Sequence, residues 1–271
     1  MLGNQNKTWY TILCATFYCF EGEKFMRIVL VALSIALFLI LFLPVYFVLW
    51  IVGKFNPHAK VAASQKIVGK AFQFVLFCAG TKRTTLGREN VPTDQAVLYV
   101  GNHRSLADIP LTYITVHTLT GFVAKKEIEK VPLFSWWMRN LNCLFLDRND
   151  MKAGLKTIMT GIEHIKNGYS MFIMPEGTRN RGKELELLPF KEGSFKMAEK
   201  TGCPIIPVAF SGASAIFEDQ APWVKKTHVI VHYGTPIYPN DLTKEERKHL
   251  GVLVRDTITQ MLIEDRKLLI H

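Results

Sequence analysis

The chain has 271 residues, 49% apolar and 21% charged, with a formal net charge of +10. That hydrophobicity excludes a disordered chain, and 18 Gly and 12 Pro without a G-x-y period exclude a collagen-like one. No repeat at a period of about 20–50 residues marks a solenoid or propeller, and one long apolar segment is too few for a multi-span transporter.

Residues 1–25 read as an N-terminal extension. Their apolar, aromatic stretch (WYTILCATFYCF, 9–20) is short, and Met26-Arg27, immediately before the long apolar run, looks like a natural start, which makes the preceding stretch an extension of little consequence. Residues 28–50 (IVLVALSIALFLILFLPVYFVLW) carry no charge, one Ser and one Pro. A helix over 28–52 would be about 37 Å long, enough to cross a hydrocarbon core of about 30 Å with tilt. Pro44 is a point where it can kink. The run is too long for the apolar region of a signal peptide, and no A-x-A site comes after it.

Lys54, Lys60, Lys66, Lys70, Lys82, Arg83 and Arg88 then appear without one acid between them. Positive charge gathers on the cytoplasmic side of a membrane helix, which puts the rest of the chain there, on the cell membrane. Residues 61–79 form a second helix candidate. Lys66 and Lys70 lie one turn apart, and Ile67, Phe72, Phe74, Val75, Leu76 and Phe77 are apolar. The pattern suits a helix in the membrane interface, or one packed on the soluble part. Residues 26–80 are thus read as membrane-anchoring.

Residues 81–271 form one domain. Short apolar runs alternate with helical stretches, the pattern of an α/β fold with a mostly parallel sheet flanked by helices. The predicted strands are 97–100, 122–124, 143–146, 171–174, 205–210 and 229–233. The predicted helices are 105–117, 132–140, 151–166, 191–200 and 243–267. The last opens on a capping box, Thr243 with Glu246, and Gly168 suits the end of 151–166. Residues 180–186 and 211–226 read as loops. The five cysteines (Cys14, Cys19, Cys78, Cys143, Cys203) form no C-x-x-C pair and are odd in number. They suit a reducing cytosol rather than a disulfide framework or a zinc site.

The chemistry gathers at strand ends. GNHRSLAD (101–108) follows the strand 97–100 directly, which aims His103 into the crevice where α/β sheets bind ligands. Asp108, in the following helix, is placed to orient the imidazole and raise its basicity. A helix-capping Asp beside a bystander His fits the same spacing. MPEGTR (174–179) is a tight turn after another strand and presents Glu176, Thr178 and Arg179 together, with Gly177 allowing the turn. A solvent-facing turn with a surface ion pair is the plainer alternative. Arg148, in LFLDR (144–148), and Lys125, after 122–124, also sit at strand ends. Cations converging on one sheet edge suggest an anion, most simply a phosphate.

NHRSLAD resembles the NHxxxxD block of the glycerolipid acyltransferases. LFLDR, MPEGTR and CPIIPV (203–208) resemble their second, third and fourth blocks, in the family's order. Connecting stretches at 87–92, 124–137 and 187–198 also look like the family, so the resemblance covers most of 81–236. It is greatest to the PlsC-type, 1-acyl-sn-glycerol-3-phosphate acyltransferase branch. Met174 stands where the family often has Phe, and the 1–25 extension departs from it too. The resemblance implies His103 as general base and Asp108 as its orienting partner. It implies Lys125, Arg148 and Arg179 on the acceptor's phosphate, with Thr178 in the same substrate-binding turn, and Glu176 and Gly177 on its glycerol. Pro204 and Pro207 would shape the acyl-chain site.

The implied reaction is acyl transfer from acyl-CoA or acyl carrier protein to the 2-hydroxyl of lysophosphatidate, giving phosphatidate for phospholipid synthesis. The partners implied are membrane lipid and the two substrates. No nucleic acid, metal or further cofactor is implied. His228 and His232 share a strand face and read as sheet residues rather than ligands. Another acceptor, glycerol 3-phosphate or a different lysolipid, is an alternative, as is a membrane-bound lipid hydrolase.

Overall fold

The computed structural model describes the backbone of residues 5–269 and the side chains of residues 22–269. Three helices open the chain: α1 (Gln5–Leu41), α2 (Leu43–Phe55) and α3 (Pro57–Cys78). The helix expected over 28–52 is therefore two helices. The chain breaks at Phe42 because Pro44 has no N–H to donate one turn back. Helix α1 runs unbroken from Gln5 through Met26 and Arg27, and residues 1–4 lie outside the described residues. Among the described residues one helix is long and apolar enough to cross a membrane, over Gly22–Leu41 with mean hydropathy 2.4.

Helix α3 turns back along α1 and α2. Asn56 caps it by accepting the Ala59 N–H at 2.9 Å, and Pro57 occupies its first turn, where its missing N–H costs nothing. Val68 and Leu76 join the core of the α/β domain, while Phe74 and Phe77 remain 57% and 77% exposed.

The α/β domain contributes β1 (Lys82–Leu86), β2 (Leu98–Gly101), α4 (Asp108–Thr115), β3 (Thr120–Lys125), α5 (Phe134–Asn140) and β4 (Leu144–Leu146). It continues with α6 (Met151–Lys166), β5 (Ser170–Ile173), α7 (Lys196–Thr201), β6 (Ile205–Ser211), β7 (His228–Tyr233), α8 (Lys244–Lys248) and α9 (Leu250–Leu269). The strands form one sheet in the order β1-β7-β6-β2-β5-β3-β4, and only the β6–β7 pair is antiparallel. The carboxyl ends of β2, β3, β4 and β5 therefore share one edge. Alternation of side chains splits the core in two. Tyr99, Phe122, Phe172 and Phe210 face α3, α4 and α5, and Leu98, Met171, Ile173 and Ile205 face α6, α7 and α9.

Several boundaries move. Strand β1 was not expected, because KRTTL has no apolar alternation; it pairs with β7 along Lys82 to Leu86. Helix α4 begins only at Asp108, whose Oδ2 gathers the Arg104 and Ser105 N–H groups at 3.0 and 2.9 Å into a preceding turn. The helix expected over 243–267 is two. The Thr243–Glu246 capping box forms, but His249 leaves helical geometry between α8 and α9. The stretch 191–200 is a short 3-10 turn, Glu192–Phe195, followed by α7. The loop 211–226 holds two more such turns, Ala213–Ile216 and Glu218–Gln220.

Candidate active site

Strand β2 ends at Gly101, where an added Cβ would lie 2.9 Å from the Phe172 ring and 3.1 Å from the Phe210 ring. Only glycine lets the strand pass between those two aromatic side chains. Asn102 comes next and is buried. Its Oδ1 accepts the Phe210 N–H at 2.8 Å and its Nδ2 donates to the Phe210 carbonyl at 3.1 Å. This two-way bond to β6 fixes the backbone one residue before His103.

His103 is then pinned by its own main chain. Its N–H donates to Glu176 Oε1 at 2.8 Å, and its carbonyl accepts the Asn180 N–H at 2.7 Å. Its side-chain Nδ1 lies 2.8 Å from Asp108 Oδ2. Asp108 is fully buried, and the same oxygen takes the Arg104 and Ser105 N–H groups. An oxygen bonded to three donors is an acceptor, so Nδ1 carries its hydrogen and, in the neutral ring, the lone pair is on Nε2. A carboxylate behind Nδ1 orients the ring.

His103 lines a cavity of about 340 Å³. Its polar rim holds Lys125, Arg148, Gly177, Thr178 and Arg179. Its floor is apolar and includes Phe72 and Val75 of α3, Trp137 of α5, and Ile35, Phe38 and Leu39 of α1. The sequence-predicted cations thus come together from three strand ends. Arg148 donates through Nη1 to the Gly177 carbonyl, and burial lowers its pKa. Arg179 Nη1 is 3.1 Å from Glu218 Oε1. Gly177 has φ +72°, which a side chain would strain, and its N–H closes the turn onto the Met174 carbonyl at 3.0 Å.

Glu176, Pro204 and Pro207 stand apart from this rim. The Glu176 carboxylate is buried and accepts the His103 and Leu188 N–H groups at 2.8 and 3.0 Å. Burial pushes its pKa above the usual carboxylate range, and those bonds offset part of the rise. Its geometry is that of a positioning residue under His103. Pro204 lies just before β6 and Pro207 within it, both buried and neither a wall of the cavity. Residue 207 tolerates proline because the β7 ladder starts only at Val208.

Two contributors were missed. Asn102 belongs to the first block, yet nothing in the sequence shows its bond to β6. Glu218 lies in the 211–226 loop, where no motif marks it. Its Oε2 accepts Ser105 Oγ at 2.7 Å, and its Oε1 accepts the Leu106 N–H at 2.7 Å as well as Arg179. It ties the guanidinium to the turn that carries His103.

A family model described as Acyltransferase matches residues 82–211, from the first residue of β1 to the last of β6. The 1-acyl-sn-glycerol-3-phosphate acyltransferase of Saccharomyces cerevisiae is 30% identical over 203 residues, 74% of this chain and 67% of its own. The protein of that name from Borreliella burgdorferi is 30% identical over 188 residues, 69% of this chain and 74% of its own. The chain belongs to the 1-acyl-sn-glycerol-3-phosphate acyltransferase family. The acyltransferase also shares its architecture with the crystal structure of PlsC, the 1-acyl-sn-glycerophosphate (LPA) acyltransferase from Thermotoga maritima. The TM-score is 0.75 at 25% identity, over 91% of this chain and 97% of that one. At 91% of this chain the likeness extends beyond the α/β domain.

Proposed function

We propose that the protein transfers an acyl chain from a thioester, acyl-CoA or acyl carrier protein, to the 2-hydroxyl of 1-acyl-sn-glycerol 3-phosphate, forming phosphatidate. The observation that carries this reading is the placement of the His103–Asp108 pair. It stands where an apolar cavity meets a rim of cations. A lysolipid phosphate has those two halves, an acyl chain for the floor and an anion for the rim.

His103 Nε2 takes the proton of the acceptor hydroxyl as its oxygen attacks the thioester carbonyl. The bond from carbonyl carbon to sulfur breaks, the thiolate leaves, and the imidazolium returns the proton to it. Asp108 holds the ring in the required tautomer and stabilises the imidazolium. Arg148, Arg179 and Lys125 hold the acceptor's phosphate, so the hydroxyl is presented in one pose and no side-chain nucleophile is needed. Thr178 and Gly177 border the glycerol, and Glu176 acts through the His103 backbone. The thioester is a co-substrate, and the reading uses no metal or further cofactor.

Helix α1 holds the protein at a membrane, with the α/β domain on the cytoplasmic side. The support for that side is the acid-free basic stretch from Lys54 to Arg88. The test is product formation by the purified protein in lipid–detergent micelles, with lysophosphatidate, glycerol 3-phosphate or other lysolipids against both thioesters, read by mass. The reading expects phosphatidate from lysophosphatidate. Release of free fatty acid without acylated product would replace it with a hydrolase.

A further inference from the structure

A second groove, of about 370 Å³, opens beside the cavity. It is lined by Lys125, Lys126 and Lys130, by Arg148, and by Glu127 and Asp147. Lys125 and Arg148 also belong to the rim of the cavity, so the two spaces adjoin. Sequence makes the groove simply. Strand β3 runs straight into a 3-10 turn, Lys126–Lys130, and the end of β4 sets Asp147 and Arg148 alongside it.

The carboxylates are already engaged. Lys125 Nζ is 2.9 Å from Glu127 Oε1, and Lys126 Nζ is 2.9 Å from Asp147 Oδ2. Four cations against two carboxylates leave an excess of two positive charges, and Lys130 has no ion-pair partner among the described residues. Such a groove recognises a phosphate.

The acyl transfer proposed above brings two phosphate-bearing molecules to one imidazole. In the acceptor, the phosphate sits on the carbon next to the one that bears the reacting hydroxyl. It must be bound at the cavity rim. In the donor, the phosphate lies at the far end of a pantetheine arm, two amide units from the reacting sulfur. A phosphate that far from the sulfur calls for cations beyond the acceptor's rim, and Lys126 and Lys130 line the outer groove but not the cavity. We infer that the outer groove takes the 4′-phosphate of the donor's phosphopantetheine arm, a group that coenzyme A and acyl carrier protein both carry. Lys126 and Lys130 are then donor-binding residues, and the shared Lys125 and Arg148 separate the two phosphates.

The inference rests on the acyl-transfer reading, and its test separates the two. In Lys126→Ala/Lys130→Ala, the KM for acyl-CoA and for acyl carrier protein should each rise about tenfold or more, the loss expected on removing charge-assisted phosphate bonds. The KM for lysophosphatidate should stay unchanged. With S-acyl pantetheine, which has no phosphate, variant and wild type should run alike. The Lys126–Asp147 pair is exposed, so its loss leaves the fold intact. Lys130→Glu alone, at a position without an ion pair, serves as a second variant. An equal rise with S-acyl pantetheine, or a rise in the KM for lysophosphatidate, overturns the groove. So does an effect confined to acyl carrier protein, which would put a protein surface there instead. If the wild type makes no phospholipid from any thioester, the acyl-transfer reading fails first. Titration calorimetry with coenzyme A and with pantetheine still reads the groove directly, and equal affinity for the two overturns it.

Discussion

Two histidine–aspartate pairs in this chain have nearly the same geometry. His103 Nδ1 and Asp108 Oδ2 are 2.8 Å apart, and His232 Nδ1 and Asp265 Oδ1 are 2.9 Å apart. In both, the histidine side chain is 20% exposed and the aspartate 0%. Their surroundings differ. His103 comes just after the end of a strand, with its backbone clamped from both sides and a cationic cavity in front of Nε2. His232 lies inside β7, opposite Leu86 of β1 and Ala209 of β6. Its aspartate comes from α9 and is held from the other side by Ser211 Oγ at 2.8 Å. The second pair fastens the last helix to the sheet. A carboxylate behind an imidazole is thus common to the proposed base and to a rivet, and what stands before the free nitrogen decides between them.

The sharpest way to break the contrast is to remove each histidine. His103→Ala should lower turnover about 10²–10⁴-fold, the usual worth of a general base, with little change in unfolding. Asp108→Asn should lose less, because the ring remains but its preferred tautomer is no longer enforced. Near wild-type turnover in His103→Ala, measured with saturating lysophosphatidate, would sink the mechanism.

An intermediate effect belongs to the cationic rim. Arg179→Ala should raise the acceptor KM about 10–100-fold, as expected for one charge-assisted phosphate bond of about 1.5–3 kcal/mol. The donor KM should hold. The reverse pattern, read from initial rates at varied donor and acceptor, would move Arg179 out of the phosphate site.

The smallest effect on turnover is expected at the second pair. His232→Gln should leave kcat unchanged and cost about 1–3 kcal/mol of stability, since buried Asp265 loses a partner. The bond to Asp265 raises the His232 pKa above its ordinary value, against the opposing pull of burial, and Asp265, Glu264 and Glu89 add to the rise. The folded state therefore holds the proton more tightly than the unfolded chain does. The stability His232 confers is fully present below the unfolded histidine value of about 6.5, and fades as pH climbs through the raised one. Melting curves of wild type and His232→Gln should diverge most at acidic pH and draw together toward alkaline pH. A gap that widens with pH would contradict the ion pair.

Sequence reading found the first pair because its residues are close in the chain and lie in a block. In sequence His232 reads only as a strand residue, since Asp265 is 33 positions away and no local pattern links the two. Distance in sequence explains Glu218 in the same way: it meets Ser105 and Leu106 more than 110 positions away. The strands that carry the site were legible from their apolar runs, whereas KRTTL, an edge strand of polar residues, offered no period to read. Glu176 and Arg179 share one motif yet point in different directions. Motif spacing says that a turn exists, and only backbone geometry says which of its side chains look inward. The length of α1 escaped for a related reason. A helix continues through a charged junction such as Glu21 to Arg27 without any residue that must end it, and Arg27 pairs with Glu23 one turn earlier.

Ile35, Phe38 and Leu39 make the apolar helix at the front of the chain a wall of the cavity. An ordinary anchor is interchangeable, and any apolar stretch of matching length does its work. Under the proposed function this one is not, because exchanging it would redraw the space in which the acceptor's acyl chain is placed. On that proposal, drift in a segment that looks like generic hydrophobic sequence is drift in substrate range.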